Sequence, residues 1–551
     1  MNRRRIRWEL LILVAVILLL TVPFLNQAYH LDDREFIEFG RAQLEDPFQF
    51  YLTDYDYAGR HFEVFHTSHP PLLSSLIAST IRVSGGESEP WLHGVYLIFP
   101  LLAGIAMYSL GRRFTGRALV SSLLLVTTTG FLVMSHTIRG DVPGVAMWLA
   151  SIASYVWGVD RSDRRILALS AFFLSLAVMT SYQCLSLVPL LFLYALLQRR
   201  ISLATMMPLI APLALFAVYV AYFYNTTGEF IRFSYRTSPE FSWLSLPIKG
   251  RALIIFLGAA TVFPLSIIAA IVRSKTDILL TAILFVPAAI MGIVIPFALG
   301  DIDGLQAFLM LIFMAAGISV FYVAGRGIVA WLSRWRSPDG PTIDALFLSV
   351  WFAGVAFYIF SFLPYIAVRY MLPLFPPVIL LFVRCAEQLL KKHPLRQTGF
   401  LYGTVVLTLA LALPAAVADY RLANTYRTLA DNYQKEFGDT AEKVWFQGEF
   451  GFRYYMEKAG FDYLGVSAVA ESGDLVISSL GSFTTGPDLM LAPVPEEFSV
   501  VTGKTTIEDD FPFRIRNSGA MAGFYSHRIG PVPVMLSREP LDEITFYRLQ
   551  W

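Results

Sequence analysis

The stretch RRRIRWELLILVAVILLLTVPFL, residues 3–25, joins a basic cluster to a long apolar run. The apolar part, residues 8–25, is long enough to cross the hydrocarbon core of a bilayer as one helix. It exceeds a typical signal-peptide core and lacks a convincing small-residue cleavage site, so we interpret it as a retained first span. Because basic residues flank spans on the cytoplasmic side, the arginines before it predict a cytoplasmic N-terminus.

The composition extends this interpretation to the whole chain. The 551 residues are 56% hydrophobic and only 15% charged, whereas a soluble domain carries about 25% charged residues. The net charge of +1 gives no support for nucleic-acid binding. Both cysteines, Cys184 and Cys385, lie inside apolar runs and therefore predict no disulfide framework. We expect a polytopic α-helical membrane protein.

Repeated apolar runs predict twelve further spans, or about thirteen in all. The run at residues 71–83 is too short to cross, and we predict that it forms an interfacial helix along the bilayer surface. Residues 165–198 could form one span and a re-entrant piece instead of two spans. The twelve further spans are residues 91–110, 118–136, 143–159, 165–181, 184–198, 202–223, 251–273, 277–298, 305–326, 344–364, 370–388 and 398–418.

The distribution of basic residues tests this topology. With the N-terminus inside, the alternate connections that face the cytoplasm should be basic, and all six of them are. If residues 71–83 crossed the membrane, all six would lie outside. Three large pieces are then extracytoplasmic: residues 26–90, residues 224–250 and everything after about residue 419. The basic residues of the inner connections are Arg112, Arg113, Arg117, Arg161, Arg164, Arg165, Arg199, Arg200, Arg273, Lys275, Arg326, Arg334, Arg336, Lys391, Lys392 and Arg396.

The chain changes character after its last apolar run, where it becomes polar and shows short strand-like runs separated by turn residues. We therefore predict two domains. Residues 1–418 form the transmembrane domain, in which residues 26–90 are the first outer loop with interfacial helices, and residues 419–551 form a small soluble extracytoplasmic mixed α/β domain. The strand-like runs are VWFQ (444–447), DLVIS (474–478), VPVML (532–536) and EITFYRL (543–549), with a helical patch at 452–459.

Charge is concentrated in the first outer loop, in HLDDREFIEFGRAQL (residues 30–44). We predict a helix from about Asp33. Asp32 could be its N-cap, in a capping box with Glu35 that satisfies backbone N–H groups. The alternative is a carboxylate held at the membrane surface for a reaction, since ionisable groups next to lipid are energetically costly and are often functional.

Three further motifs carry charge on the same predicted face. TSHPPLL (67–73) contains His69, TIRGDVPG (137–144) contains Asp141, and VRYMLPLFPP (368–377) contains Arg369. Each has a structural explanation: a surface turn for His69, a helix N-cap for Asp141 and a snorkelling side chain for Arg369. Together they place acids, a histidine and arginines at one depth. This arrangement suits a substrate with an anionic phosphate at the interface and a tail in the lipid.

These motifs, in this order over roughly residues 8–418, resemble those of the GT-C membrane glycosyltransferases, in particular the protein O-mannosyltransferases and lipid A aminoarabinose transferases. Those families commonly show Asp-Glu-x-x-Tyr, Lys-Pro-Pro-Leu and Arg-Tyr-x-x-Pro. Here Asp33 replaces the glutamate, Phe36 the tyrosine and His69 the lysine. If His69 keeps the lysine's contact with the donor phosphate, it must be protonated or donate a neutral hydrogen bond. Donor binding would then be sensitive to pH.

The resemblance implies the GT-C fold and transfer of a sugar from a polyprenyl-phosphate-linked donor to an acceptor hydroxyl on the extracytoplasmic face, with inversion. Asp32 would take the hydroxyl proton, and Asp141 would position the acceptor or the partners of Asp32. A phosphate leaving group needs cations and hydrogen-bond donors rather than an acid. The other implied site residues are Asp33, Glu38 and Arg139 in support, and Arg41, His69, Arg369 and Tyr370 at the donor phosphate.

Several properties stay open at this point. Dependence on a divalent metal ion is open, because two acids facing one space could bind a cation. The acceptor could be a lipid, a glycan or a protein, and we expect the chain to lie in the plasma or inner membrane. The identity of the sugar is also open.

Other classes of protein would share some of these features. A transporter or flippase for a lipid-linked or anionic solute fits thirteen spans and interfacial arginines. It should place ionisable pairs near the bilayer midplane and often shows two related halves, whereas acids are nearly absent from the middle of the predicted spans. A ligase or polymerase of surface polysaccharide would share the donor but should carry a larger loop elsewhere. We favour the glycosyltransferase.

Overall fold

Most of the chain is helical in a computed structural model. Within the part of the chain described, eight helical segments are long and apolar enough to cross a membrane. The expected polytopic α-helical architecture is confirmed. These segments are Arg3–Phe24, Glu89–Phe114, Asp141–Arg161, Leu203–Thr227, Gly304–Leu332, Gly340–Phe362, Val368–Leu389 and Pro394–Phe437. The described residues are 3–57, 60–67, 69–231, 245–267, 286, 289–294, 300, 302–438, 442–465, 468–482 and 498–551.

The observed helices overlap the predicted spans, except for the span predicted at residues 277–298, which lies largely outside the described residues. The α-helices are α1 (Arg3–Thr21), α2 (Asp33–Glu45), α3 (Pro71–Ser84), α4 (Glu89–Tyr96), α5 (Ile98–Phe114), α6 (Ala118–Thr127), α7 (Thr129–Met134), α8 (Asp141–Arg161), α9 (Arg164–Thr180), α10 (Leu187–Leu197), α11 (Leu203–Thr227), α12 (Ser245–Ala260), α13 (Gly304–Leu332), α14 (Gly340–Phe362), α15 (Phe375–Leu389), α16 (Pro394–Phe437) and α17 (Phe450–Lys458). Short 3₁₀ helices are Val22–Phe24, Phe50–Leu52, Val64–Thr67, Tyr182–Ser186, Phe263–Ile267 and Val368–Leu374, and Ile290–Val294 is a π-helical turn.

The span predicted at residues 118–136 is divided into α6 and α7. Thr128 between them has an extended backbone, with φ −64° and ψ 144°. A Cβ built on Gly130, at the start of α7, would lie 2.7 Å from Cγ1 of Val368. The interruption and the glycine therefore allow α7 to pack directly against the segment that carries Arg369.

Helices α2 and α3 form a closely packed pair. The first begins at Asp33, as predicted, and the second corresponds to the helix predicted at residues 71–83. A Cβ built on Gly40 would lie 2.5 Å from Cγ2 of Ile77, so the two helices touch at this glycine. Nε2 of Gln43 also donates to Oγ of Ser75 at 2.8 Å. These contacts fix the direction in which α2 presents its N-terminal end.

Helix α16 is much longer than a membrane span. Its 44 residues correspond to about 66 Å of helix, roughly twice the thickness of the hydrocarbon core. The span predicted at residues 398–418 is its first half. The domain boundary expected at residue 418 therefore falls inside one continuous helix, and the division into two domains stays a proposal.

The C-terminal region contains a five-stranded mixed sheet in the order Asp462–Tyr463 (β4), Val444–Gln447 (β3), Leu475–Ser479 (β5), Asp542–Leu549 (β11) and Ser499–Ile507 (β6). Strand β3 is parallel to both of its neighbours, and β11 is antiparallel to both of its own. The expected small mixed α/β region is confirmed. The strands are β1 (Asp54–Tyr57), β2 (Arg60–Glu63), β3 (Val444–Gln447), β4 (Asp462–Tyr463), β5 (Leu475–Ser479), β6 (Ser499–Ile507), β7 (Phe513–Arg514), β8 (Arg516–Asn517), β9 (Ala522–Gly523), β10 (Met535–Leu536) and β11 (Asp542–Leu549).

Strand β6 was not predicted. It lies at the edge of the sheet, and its sequence SVVTGKTTI is mostly exposed. An edge strand with both faces in solvent needs no apolar face, and charged residues such as Lys504 are typical of such edges. The alternation of apolar and polar residues that indicates a half-buried strand is therefore absent from this sequence.

Two glycines allow α12 and α13 to pack with their backbones in contact. A Cβ built on Gly317 would lie 2.0 Å from the carbonyl oxygen of Ile254, and one built on Gly258 would lie 1.8 Å from that of Phe313. Small residues at helix interfaces are a usual basis of close packing in membranes.

We predict that Gly317→Ala lowers the free energy of unfolding by about 1–3 kcal/mol, because backbone atoms cannot move aside for the added methyl group. Gly325→Ala, on the same helix, is the control: a Cβ there has no neighbour within 4 Å. It should be neutral or slightly stabilising. Thermal unfolding in detergent measures both, and equal midpoints for the two variants would contradict the packing.

Candidate active site

Three distant segments of the chain meet at the carboxylate of Asp32. Its Oδ2 atom lies 2.6 Å from Nη2 of Arg139 and 3.1 Å from Nη1 of Arg369. Nε of Arg139 lies 3.4 Å from Oδ2 of Asp141. Four of the residues that the sequence singled out are thus brought together, and we refer to Asp32, Arg139, Asp141 and Arg369 as the charged cluster.

The backbone before α2 directs Asp32 into this cluster. Asp32 occupies the N-cap position, yet its side chain makes no capping hydrogen bond. Leu31 has a φ of 50°, in the left-handed region that a leucine rarely adopts. The capping box with Glu35 is therefore absent, and the carboxylate binds two guanidinium groups instead.

Asp33, the next residue after Asp32, is fully buried. Its Oδ2 accepts a hydrogen bond from the backbone N–H of His30 at 3.1 Å, and its Oδ1 accepts one from the backbone N–H of Ile138 at 3.1 Å. The second bond reaches the residue next to Arg139. Asp33 therefore joins the segment that carries Asp32 to the segment that carries Arg139.

Arg369 lies among tyrosine hydroxyls. Its Nη2 donates to the hydroxyl of Tyr365 at 2.8 Å and to that of Tyr370 at 2.9 Å, and the hydroxyl of Tyr370 donates to that of Tyr365 at 3.0 Å. Burial raises the pKa of Tyr365 well above its ordinary value, so its hydroxyl stays protonated. Tyr365 was not predicted as a site residue. No regular spacing marked it, because residues 363–367 are not helical and the 3₁₀ helix that carries Arg369 begins only at Val368.

His69 and Glu35 form a second group next to the cluster. Nε2 of His69 lies 3.8 Å from Oε1 of Glu35, and the His69 ring lies against Phe36 at a centroid distance of 4.9 Å. Burial lowers the pKa of His69 to about 4, so the imidazole is neutral at pH 7. Burial, together with the negative charge of Asp32, raises the pKa of Glu35 to about 8. The sequence suggested Glu35 only as a capping residue.

Arg41 and Glu38 lie in a separate group. Nε and Nη2 of Arg41 each lie 2.5 Å from the carboxylate of Glu87, and its Nη1 lies 2.7 Å from Oε1 of Glu38. The hydroxyl of Tyr454 donates to Glu87 at 3.0 Å. The position of Arg41, nine residues after Asp32 on α2, is about 13 Å further along the helix axis. Arg41 and Glu38 were both predicted as site residues, and both lie outside the charged cluster.

The described part of the chain contains no group of three or more His, Cys, Asp and Glu residues that could hold a metal ion. Asp32 and Asp141 face the guanidinium group of Arg139, which occupies the position between them.

One family model matches part of this chain. Residues 68–224 match the model described as dolichyl-phosphate-mannose-protein mannosyltransferase. The matched segment contains His69, Arg139 and Asp141. The resemblance to the GT-C class is confirmed. No curated protein matches the chain.

The chain is also similar to several solved structures. The oligosaccharyltransferase of Archaeoglobus fulgidus, in complex with zinc and sulfate, is 14% identical over 86% of this chain and 68% of its own, with a TM-score of 0.47. ArnT of Cupriavidus metallidurans, bound to undecaprenyl phosphate, is 17% identical over 90% of this chain and 96% of its own, with a TM-score of 0.42. The Pmt1–Pmt2 complex of S. cerevisiae, bound to the sugar donor, is 16% identical over 40% of this chain and 34% of that chain, with a TM-score of 0.31.

Arg139 is 3% exposed and faces two carboxylates. We predict that Arg139→Gln lowers the free energy of unfolding by about 3–5 kcal/mol, because it leaves both acids without their shared counter-charge. Arg334→Gln is the control: that arginine is 61% exposed in its pair with Asp339, so its loss should change the stability by less than about 1 kcal/mol. Thermal unfolding in detergent compares the two. Similar shifts would show that the charged cluster contributes little to stability.

Proposed function

We propose that this chain is an integral-membrane glycosyltransferase that moves a sugar from a polyprenyl-phosphate-linked donor to an acceptor hydroxyl on the extracytoplasmic face, with inversion. The observation that carries the proposal is the charged cluster. It joins an acid from the first outer loop to two arginines and a second acid from distant parts of the chain. The family match over residues 68–224 names a lipid-phosphate-linked sugar as the donor of that family.

Asp32 is the proposed base. The closest contact of each arginine is with the same oxygen of Asp32, Oδ2. We therefore assign the acceptor hydroxyl to Oδ1. The side chain is 23% exposed, so a substrate can reach it. The hydroxyl proton would move to Oδ1 as the acceptor oxygen forms its bond to the anomeric carbon. The bond from that carbon to the phosphate oxygen would break on the opposite face, and its electron pair would stay on the phosphate.

The leaving phosphate would be stabilised by cations and hydrogen-bond donors. Arg369, with the hydroxyls of Tyr365 and Tyr370 next to it, supplies a cluster of such groups. His69 would add a neutral N–H donor at neutral pH, or a cation if the phosphate induces its protonation. Arg41 would first have to leave Glu87 and Glu38. We therefore assign the phosphate to His69, Arg369 and Tyr370, with Arg41 outside the first contacts.

Asp141 has a supporting role in this proposal. It shares Arg139 with Asp32 and thereby fixes the guanidinium group that holds the base. A carboxylate at this position would also accept a hydrogen bond from a second hydroxyl of the acceptor. Asp33 acts through the two backbone N–H groups that its carboxylate binds, which join the two segments.

Incubation of the purified protein with a panel of polyprenyl-phosphate sugars tests the function, with release of free polyprenyl phosphate as the readout. Asp32→Asn should lower the rate at least about 100-fold, because it removes the base and keeps the shape. Asp46→Asn is the matched control, on the exposed end of α2, and should react at the wild-type rate. Normal turnover by Asp32→Asn, or a panel in which no donor is consumed, would refute the proposal. Translocation of an intact donor across proteoliposomes would favour the flippase instead.

The donor KM should depend on pH through Glu35. Below a pH of about 8 this acid is neutral, and above it the carboxylate places a negative charge beside the phosphate site. The donor KM should therefore rise roughly tenfold as the pH increases from about 7 to about 9.5. Glu35→Gln should abolish the rise, whereas Glu45→Gln, which lies exposed on the same helix, should retain it. A rise of equal size in all three proteins would assign the effect to another group.

A further inference from the structure

The C-terminal α/β region is bound to the segment that carries Arg369. The backbone N–H of Val368 donates to the carbonyl of Phe524 at 3.1 Å, and the backbone N–H of His527 donates to the carbonyl of Ile366 at 2.9 Å. The backbone N–H of Ile366 donates to Nδ1 of the His527 ring at 3.0 Å. Burial lowers the pKa of His527 to about 4, so that Nδ1 remains an acceptor at neutral pH. Three hydrogen bonds thus hold the residues that directly precede Arg369.

The same region is bound to the segment that carries Asp32. The backbone N–H of Tyr29 donates to the hydroxyl of Tyr455, on α17, at 2.9 Å. A Cβ built on Gly451 would lie 2.3 Å from the carbonyl oxygen of Tyr29 and 3.1 Å from Cα of His30. The start of α17 therefore rests directly on the backbone two to three residues before Asp32, and only a glycine fits there.

A buried polar network joins these two attachments. The hydroxyl of Tyr525 donates to Oδ1 of Asp419 at 2.7 Å, and Nε2 of His30 lies 2.9 Å from Oδ2 of Asp419. The backbone N–H of His30 bonds to Asp33. Burial lowers the pKa of His30, but Asp419 and Asp33 more than offset it and raise that pKa to about 10. An imidazolium between two carboxylates therefore connects the 524–527 segment, α16 and the start of α2.

We propose that the C-terminal region is a positioning element of the candidate active site, in which His527 and Tyr525 set the placement of Arg369 relative to Asp32. The catalytic part of this inference rests on the proposed function. His527 and Tyr525 contact the residues that precede Arg369 and the network that includes His30, so they act through Arg369 and Asp32 rather than on a substrate. Their loss should disturb the reaction step more than the binding of the donor.

His527→Leu removes the acceptor of the Ile366 N–H, whereas His527→Asn keeps an oxygen close to the position of Nδ1. In His527→Leu, hydrogen exchange in peptides covering residues 364–369 should accelerate about tenfold or more, because one of the bonds that protects them is lost. Its kcat should fall about 100-fold, with the donor KM changed by less than about threefold, the pattern of a lost transition-state interaction. His527→Asn should restore most of both properties. Lys504→Gln, on the exposed edge strand, controls for changes elsewhere in the region.

Unchanged exchange at residues 364–369 in His527→Leu would overturn the proposal, as would a kcat close to the wild-type value or an Asn variant no better than the Leu variant. Hydrogen exchange of peptides within α8 serves as the folding check, and it should equal that of the wild-type protein. If His527→Leu fails it, Tyr525→Phe, which removes one hydroxyl and keeps the ring, takes its place with the same expected loss of kcat. If the wild-type protein consumes no donor, the proposed function fails separately, and the exchange results still decide whether the C-terminal region holds the 366–368 segment.

Discussion

The ion pairs of Asp32 with Arg139 and Arg369 are the interaction on which the arrangement of this protein depends. A carboxylate that accepts two guanidinium groups from residues more than 100 and 300 positions away fixes three segments of chain at one point. Such a contact is costly to desolvate and is stable only while all partners stay in place. The left-handed Leu31, the buried Asp33 and the interruption at Thr128 all contribute to bringing these partners together.

The charges divide into groups with different tasks. Asp32 is paired with the guanidinium groups of Arg139 and Arg369. Arg41 is paired with the carboxylates of Glu87 and Glu38. His69 and Glu35 are both uncharged at pH 7, because burial lowers the pKa of the histidine and raises that of the acid. The site therefore combines a charged half, suited to proton transfer and to a leaving phosphate, with a neutral half that can respond to the charge of a ligand.

Local patterns predicted much of this architecture, and contacts between distant residues decided the rest. Apolar length located the helices, and the Asp32–Asp33 pair marked the start of α2 within one residue. The short run at 71–83 was correctly read as a separate helix. Arg41 could not be assigned from its own motif, because its partner Glu87 lies 46 residues away. Gly451 was missed for the same reason, because it contacts Tyr29 and His30, more than 400 residues earlier in the chain.

Helix α16 also links this site to the lipid around it. Its first half matches a predicted span, and the part from Asp419 to its end extends for about 27 Å beyond. Membrane helices tilt to match their apolar length to the thickness of the bilayer. Because the helix is continuous, a change in its tilt of about 10° about Asp419 would displace the end of this extension by roughly 5 Å. Asp419 lies where the predicted span passes into this extension, and it contacts His30. A change in the tilt of α16 would therefore act on the His30 network at the base of the extension.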